Sequence, residues 1–310
     1  MAEGPTTKDT VDSSIPTEFI AEVRLKDQEG QTMRPLVHNV NLPEHKGGTW
    51  EMTELSRVTA VALGEALEGP STELTDTNLE ITPTEYGATV ELSDLTSDQF
   101  TSSADLPRLV GRILGNAMIT KEDIDLLTQI DSFSVQIGGA GTSLVLGHII
   151  AAGAAIRSGG QAAGAITAGT QEPAMGKISG VFNDNQLHTV VKNLAVGRQI
   201  ITTSGASQEG PQPGEAANAA LREAFVGRIG RVDVYADQNL SKDASDDAKG
   251  GVFEETAIVQ VHFRGGPRFE PDRKPRARLT EYNVVQVKGV GEWKDARGRE
   301  VLCDAASPSS

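Results

Sequence analysis

The chain has 310 residues and a net charge of −15, from 43 acidic and 28 basic side chains, with an aromatic content of 4%. Such an acidic chain does not neutralise phosphates by itself, which disfavours sequence-specific nucleic-acid binding and docking on an anionic membrane. One cysteine, Cys303, excludes an intrachain disulfide and fits synthesis in a reducing compartment. The first residues lack a signal-peptide pattern. The most apolar run, 144–156, is shorter than a membrane span and contains His148.

Residues 1–48 read as a polar arm interrupted by Pro5, Pro16, Pro35 and Pro43, with extended pieces at 19–25 and 36–42. Such a segment cannot bury enough apolar area alone and is expected to order by lying on another surface. From residue 49 the pattern turns to alternation. One limb runs through Trp50 to 57–63. The other carries Tyr86, Ala88, Val90 and Leu92 at a period of two. Between them, 64–78 is rich in Gly, Pro, Ser, Thr and acid, so 49–92 is expected to form a long two-stranded hairpin. The span 51–105 holds twelve acidic residues against Arg57 alone. The plain alternative for that charge is a solvated face.

The organising element is 104–131. Leu106, Leu109, Val110, Ile113, Leu114, Ala117, Met118, Ile124, Leu127 and Ile130 recur at steps of three and four, which predicts one long amphipathic helix. Asp105 or Ser103 can cap it, and Pro107 fits its first turn. A mixed zone follows over 132–250. It holds a Gly-rich turn at 137–143, an Ala/Gly-rich helix to Ile156, and a helix at 183–194 capped by Asn183 or Asp184. A loop at 205–214, a helix at 215–226 and a strand at 231–235 complete it. The last zone, 252–303, is strand-like, with runs at 257–263 and 282–287 and a final hairpin from Trp293 to Leu302. Arg264, Arg268, Arg273, Lys274, Arg276 and Arg278 cluster there, opposite in sign to the 51–91 region.

Catalytic and metal motifs are missing. Histidines 38, 45, 148, 188 and 262 have no ligand spacing, and one cysteine makes a zinc site unpromising. Gly176-Lys177 is no phosphate loop, because Gln171 and Ile178 replace the required glycine and hydroxyl residue. Gly139-Ala140-Gly141 continues to Leu144 where a third glycine would stand, and 205–209 breaks the nucleophile-elbow pattern. The expectation is no enzyme, no cofactor and no metal.

The order of parts, with VFNDNQLHTVVKNL (181–194), GRIGRVDVYADQNL (227–240) and YNVVQVKGVGEWKD (282–295), resembles the major capsid proteins of tailed phages, the Hong Kong 97 fold, over about 15–304. The resemblance implies an α+β architecture: N-terminal arm 1–48, extended β-hairpin loop 49–93, peripheral domain 94–131 with 252–304 and its spine helix, axial domain 132–251, and tail 305–310. It implies a structural major capsid protein that self-assembles as a homo-oligomer into hexamers and pentamers of an icosahedral capsid around double-stranded DNA. The place is the virion capsid, after synthesis in the host cytoplasm. A separate scaffolding protein, a portal and a decoration protein are the partners it implies, with no membrane. With a net charge of −15 only weak, non-specific DNA contact is expected, through whichever basic residues face inwards, and the helix face with Arg108, Arg112 and Lys121 is one candidate. The alternatives are an encapsulin-type nanocompartment shell around protein cargo and an enzyme with a non-linear site. No lysine lies between Lys46 and Lys121, so the loop cannot form the lysine cross-link of some relatives. In the family this loop crosses a neighbouring subunit. Glu65, Glu68, Glu73 and Asp76 are therefore expected to meet Arg264, Arg268, Arg273, Lys274, Arg276 and Arg278 between subunits.

Overall fold

The computed structural model describes residues 31–42, 48–56, 58, 62, 71, 73–99, 106–159, 173–191 and 227–307. The expected strand at 19–25, the loop at 205–214 and the helix at 215–226 lie outside them.

Among the described residues the strands form three sheets. A four-stranded sheet has the order β1 (His38–Leu42), β10 (Ile258–Lys274), β11 (Leu279–Glu292), β4 (Thr84–Ser93). A six-stranded sheet has the order β5 (Gln136–Ser143), β12 (Gly298–Asp304), β9 (Asp247–Glu254), β6 (Ile178–Phe182), β8 (Val232–Ala236), β7 (Gly227–Ile229). β2 (Trp50–Leu55) and β3 (Asp76–Ile81) form a separate antiparallel ladder.

The predicted long helix is present as α2 (Leu106–Thr128), continued by a 3₁₀ turn at Gln129–Ser132. Its 23 residues make a rod of about 34 Å at 1.5 Å per residue. Val110, Leu114 and Met118 pack on Leu92 and Val284, with Tyr86, Ala88, Val90 and Tyr282 beside them, against β4 and β11. Leu126, Leu127, Ile130 and Phe133 enter a second core with Met33, Leu36, Val37, Val181, Phe253 and Ile258. Ile113 and Ile124, expected on the inner stripe, are 45% and 40% exposed. A third core lies between the six-stranded sheet and two helices, α3 (Leu146–Arg157) and α4 (residues 184–191). Asn183 caps α4 by accepting the Asn185 N–H at 3.0 Å.

Four expectations are corrected. Tyr86, Ala88, Val90 and Leu92 do alternate, but β4 pairs with β11, and the return limb of the hairpin is β3. Alternation reports a strand with one buried face, here the face under α2, and not the identity of its neighbour. The final hairpin is absent: β11 and β12 lie in different sheets, joined through the 3₁₀ turn Asp295–Arg297, and β12 inserts between β5 and β9. The Gly-rich run 137–143 belongs to strand β5, and Gly138 is needed twice over, for its φ of +87° and because a side chain there would meet the Leu302 carbonyl. The end of the arm is core: Met33, Leu36 and Val37 are buried, and β1 pairs in parallel with β10.

Two glycines separate packing from propensity. A Cβ on Gly298 would overlap the Phe133 ring, whereas one on Gly111, inside α2, meets nothing within 4 Å. Gly298→Ala is expected to lower stability by about 1–3 kcal/mol through overpacking. Gly111→Ala is expected to raise it by about 0.5–1 kcal/mol through helix propensity. Urea unfolding of the purified protein checks both, and equal midpoints for the two variants would contradict this packing.

Candidate assembly surfaces and a buried ionisable seam

The β2–β3 ladder is rooted at one end and open at the other. At the root, Ile81, Trp50 and Leu79 join Val259, Val261 and Trp293, with the two tryptophan rings edge to face at 6.4 Å. Lys294 Nζ reaches Glu54 at 2.5 Å. Away from the root Leu55, Val58 and Leu74 are 63%, 59% and 57% exposed. Residues 48–56 and 73–81 carry Glu51, Glu54, Glu73, Asp76 and Glu80 and no lysine or arginine. In the ladder register Glu51 stands opposite Glu80, a like-charge pair on adjacent strands, which is destabilising.

The basic cluster sits along the far part of β10 and the turn into β11. Arg273 makes a two-point fork to Asp94 at 2.6 Å for each bond, and that fork holds the Asp94 carboxyl below its ordinary range. Lys274 bonds Glu281 and, at 2.9 Å, Glu91, and these carboxylates push its pKa up. Arg268 lies 3.8 Å from Glu270. Arg276 and Arg278 are exposed and form no ion pair among the described residues. Arg273 and Lys274, expected to face a neighbour, are thus engaged by β4 and the helix after it, α1 (Asp94–Gln99), of their own chain. Glu73 and Asp76 are exposed and have no ion pair with the basic cluster among the described residues. Glu65, Glu68 and the Arg264 side chain lie outside those residues. On α2, Arg108 and Arg112 are exposed, while Lys121 pairs with Asp125 and lies 5.2 Å from the Tyr86 ring centre.

A buried ionisable seam runs beneath α2, and no motif announced it. Glu122 accepts from Gln260 Nε2 at 2.6 Å and has Arg34 and His262 at 3.8 and 3.9 Å. Burial pushes the His262 pKa down despite Glu122. Lys288, also buried and pushed down by burial, has Asp125 at 3.7 Å and the Tyr86 ring at 5.4 Å. Asp123 Oδ1 accepts the backbone N–H groups of Thr32 and Met33 at 3.0 and 2.8 Å, and its Oδ2 accepts from Asn239 Nδ2 at 2.9 Å. One signal was available. Met118, Glu122 and Leu126 are four apart, so the apolar stripe itself carries Glu122 inward.

Among the described residues no cluster could hold a metal ion, and no helix is long and apolar enough to cross a membrane. No family model and no curated protein matches the chain. Solved structures do. The head structure of Helicobacter pylori bacteriophage KHP40 aligns at TM-score 0.69 and 11% identity, over 94% of this chain and 96% of that one. The capsid of cyanophage P-SCSP1u aligns at 0.65 and 12%, over 96% and 95%. The capsid of Ralstonia phage GP4 aligns at 0.62 and 13%, over 95% and 96%. The chain therefore has an α+β capsid fold. It is the fold of tailed-phage capsid proteins, as the order of its parts resembled.

The seam has a pH signature. The folded chain resists protonating His262, whereas the unfolded chain takes up the proton freely. Stability from this site is therefore present above the ordinary histidine pKa and lost as pH falls below about 6.5. In urea unfolding stepped from about pH 7 to about pH 5, the wild type is expected to lose stability relative to His262→Gln. Parallel curves for the two proteins would contradict a neutral buried His262.

Proposed function

We propose that this chain is a structural shell subunit, the major capsid protein of a tailed phage. In this reading it assembles with itself into hexamers and pentamers of an icosahedral capsid that encloses double-stranded DNA. The observation that carries the reading is the agreement in fold with phage capsid chains along almost the whole length of both partners. The projecting ladder supports it, because a two-stranded hairpin is marginal alone in water and this one leaves Leu55, Val58 and Leu74 open for a neighbour. A separate scaffolding protein, a portal, a decoration protein and weak DNA contact through Arg108 and Arg112 belong to the same proposal. The purified subunit, sized by light scattering and viewed by electron microscopy, is expected to give closed shells, alone or with a scaffolding protein. A stable monomer under every salt and scaffold condition would sink the reading. Shells holding protein cargo and no DNA when isolated from cells would favour a nanocompartment.

Between subunits, the acidic ladder is proposed to meet the basic hairpin, with charge complementarity setting register. Each exposed pair is worth about 0–1 kcal/mol, so the effect comes from several acting together. Within one chain Arg273 and Lys274 are held by hydrogen-bonded carboxylates, and Arg268 lies in a loose, exposed pair with Glu270. That leaves Arg276 and Arg278, with Arg268 able to exchange partners, as the cations available among the described residues to Glu51, Glu73, Asp76 and Glu80. Reversing Arg268, Arg273 and Arg276 to Glu is expected to impair assembly while the subunit stays folded by circular dichroism. Reversing Glu65, Glu68 and Glu73 to Lys in the same chain is expected to restore part of it. Arg273→Glu also breaks the fork to Asp94, so Arg268→Glu with Arg276→Glu alone is the cleaner pair and should act in the same direction. Normal assembly of both sets across a range of ionic strength would refute the pairing.

A further inference from the structure

The junction of arm, spine helix and six-stranded sheet contains two buried carboxyls, and among the described residues no cation pairs with them. Asp123 on α2 and Asp237, one residue beyond β8, are both 0% exposed. Asp123 accepts three N–H donors, from Thr32 and Met33 on Oδ1 and from Asn239 on Oδ2, which leaves Oδ2 room for one more. Asp237 Oδ1 accepts the Asn239 N–H at 2.8 Å, and the Thr32 hydroxyl also reaches its carboxyl. Its Oδ2 has no hydrogen-bond partner among the described residues, and Asn239 bridges the two acids through its backbone N–H and its side-chain amide. Two ionised carboxylates held together out of water repel each other, which favours one proton on the pair.

The charged groups on the surrounding elements are engaged elsewhere. Arg34 of the arm segment and His262 of β10 lie against Glu122. On α2, Lys121 pairs with Asp125. At the start of α4, Asp184 accepts from Gln238 Nε2 at 2.6 Å. On β8, Tyr235 and Asp233 both engage Lys177. On β9, Glu254 pairs with Arg297. Asp123 is therefore the charge that acts on Asp237.

We propose that Asp237 and Asp123 share one proton, and that this proton latches residues 31–33 to the spine helix and to the end of β8, so that rising pH loosens the segment. In the closed state the Asp237 O–H donates to Asp123, which in turn grips the Thr32 and Met33 backbone. Burial and the Asp123 carboxylate push the Asp237 pKa up to about 8. Once the junction opens and the carboxyl meets water, its pKa returns to the ordinary range near 3.8. The sign follows: between those limits the closed state holds a proton that the open state has lost, so opening becomes easier as pH rises and levels off above about 8. With one proton per opening, the equilibrium shifts about tenfold per pH unit. The latch is internal to one subunit and does not rest on the shell reading.

Hydrogen exchange of the Thr32 and Met33 amides in the full-length subunit tests it. After correction for intrinsic exchange, their protection is expected to fall about a hundredfold between about pH 5.5 and about pH 7.5 in the wild type. In Asp237→Asn, whose amide can donate to Asp123 at every pH, protection is expected to stay level. Equal slopes in the two proteins, or a level wild type, would overturn the latch. If Asp237→Asn does not fold, carbon NMR titration of the wild-type side-chain carboxyls decides: a midpoint near the ordinary value for Asp237 overturns the proposal, and a midpoint several units higher supports it.

Discussion

A carboxylate closed off from water must draw its hydrogen bonds from protein donors, and Asp123 sits where two distant parts of the chain supply them. The backbone of Thr32 and Met33 and the side chain of Asn239 all converge on this one group. Its neighbour Glu122 turns instead toward Gln260, His262 and Arg34, beside the four-stranded sheet. The helix is thereby committed on both sides. Its first half lies by Val110, Leu114 and Met118 on β4 and β11, and its last turn drives Leu126, Leu127 and Ile130 into the core shared with β6 and β9. Apolar packing alone would tolerate a rotation or slide of the rod. Buried acids do not, since breaking one from its partners costs far more than it gains by moving.

This explains which features could be read from the chain. α2 was legible because its apolar residues outnumber its polar ones on one face over more than six turns, and no turn chemistry interrupts it. Strand positions were legible wherever one face is buried, as in Tyr86, Ala88, Val90 and Leu92. Pairing was not, because alternation fixes which way a side chain points and is silent about the neighbouring strand. β3 shows the difficulty best. Its sequence Asp76-Thr77-Asn78-Leu79-Glu80-Ile81 is polar enough to pass for a loop, and its strand character comes from β2 and from the root contacts of Ile81. The separation of β11 from β12 was hidden in the same way, since a turn-rich stretch between two strands serves a hairpin and a crossing between sheets equally well. Glu122 and Asp123 were passed over because acids usually mark solvent. The spacing from Met118 to Leu126 should have outweighed that habit.

The charged candidates divide along a similar line. The inversion of sign between the two regions is visible in composition, but composition treats Arg273, Lys274, Arg276 and Arg278 alike. Folding separates them. Asp94 follows β4 directly and is carried by the β4–β11 pairing to the Arg273 fork, and Glu91 reaches Lys274 in the same way. Arg276 and Arg278, which form no ion pair among the described residues, lie at the turn.

The acidic ladder carries the opposite surplus. A surface evolved only for solubility has no reason to set Glu51 directly across from Glu80, because the two strands then bear a repulsion that a threonine on either side would remove. The repulsion has one useful consequence in the free subunit: it discourages edge-to-edge pairing of the open strands with a second acidic ladder. It also has a natural relief, a cation delivered from outside the chain into the gap between the two carboxylates. The exposed Leu55, Val58 and Leu74 and the Glu51–Glu80 repulsion lie on the same projecting element. Apolar area that should be covered and charge that should be compensated therefore ask for the same occupant, a surface that is apolar at its centre and basic at its rim. An element built in this way costs stability while its apolar and acidic groups stay uncovered, and recovers it when such a surface covers them.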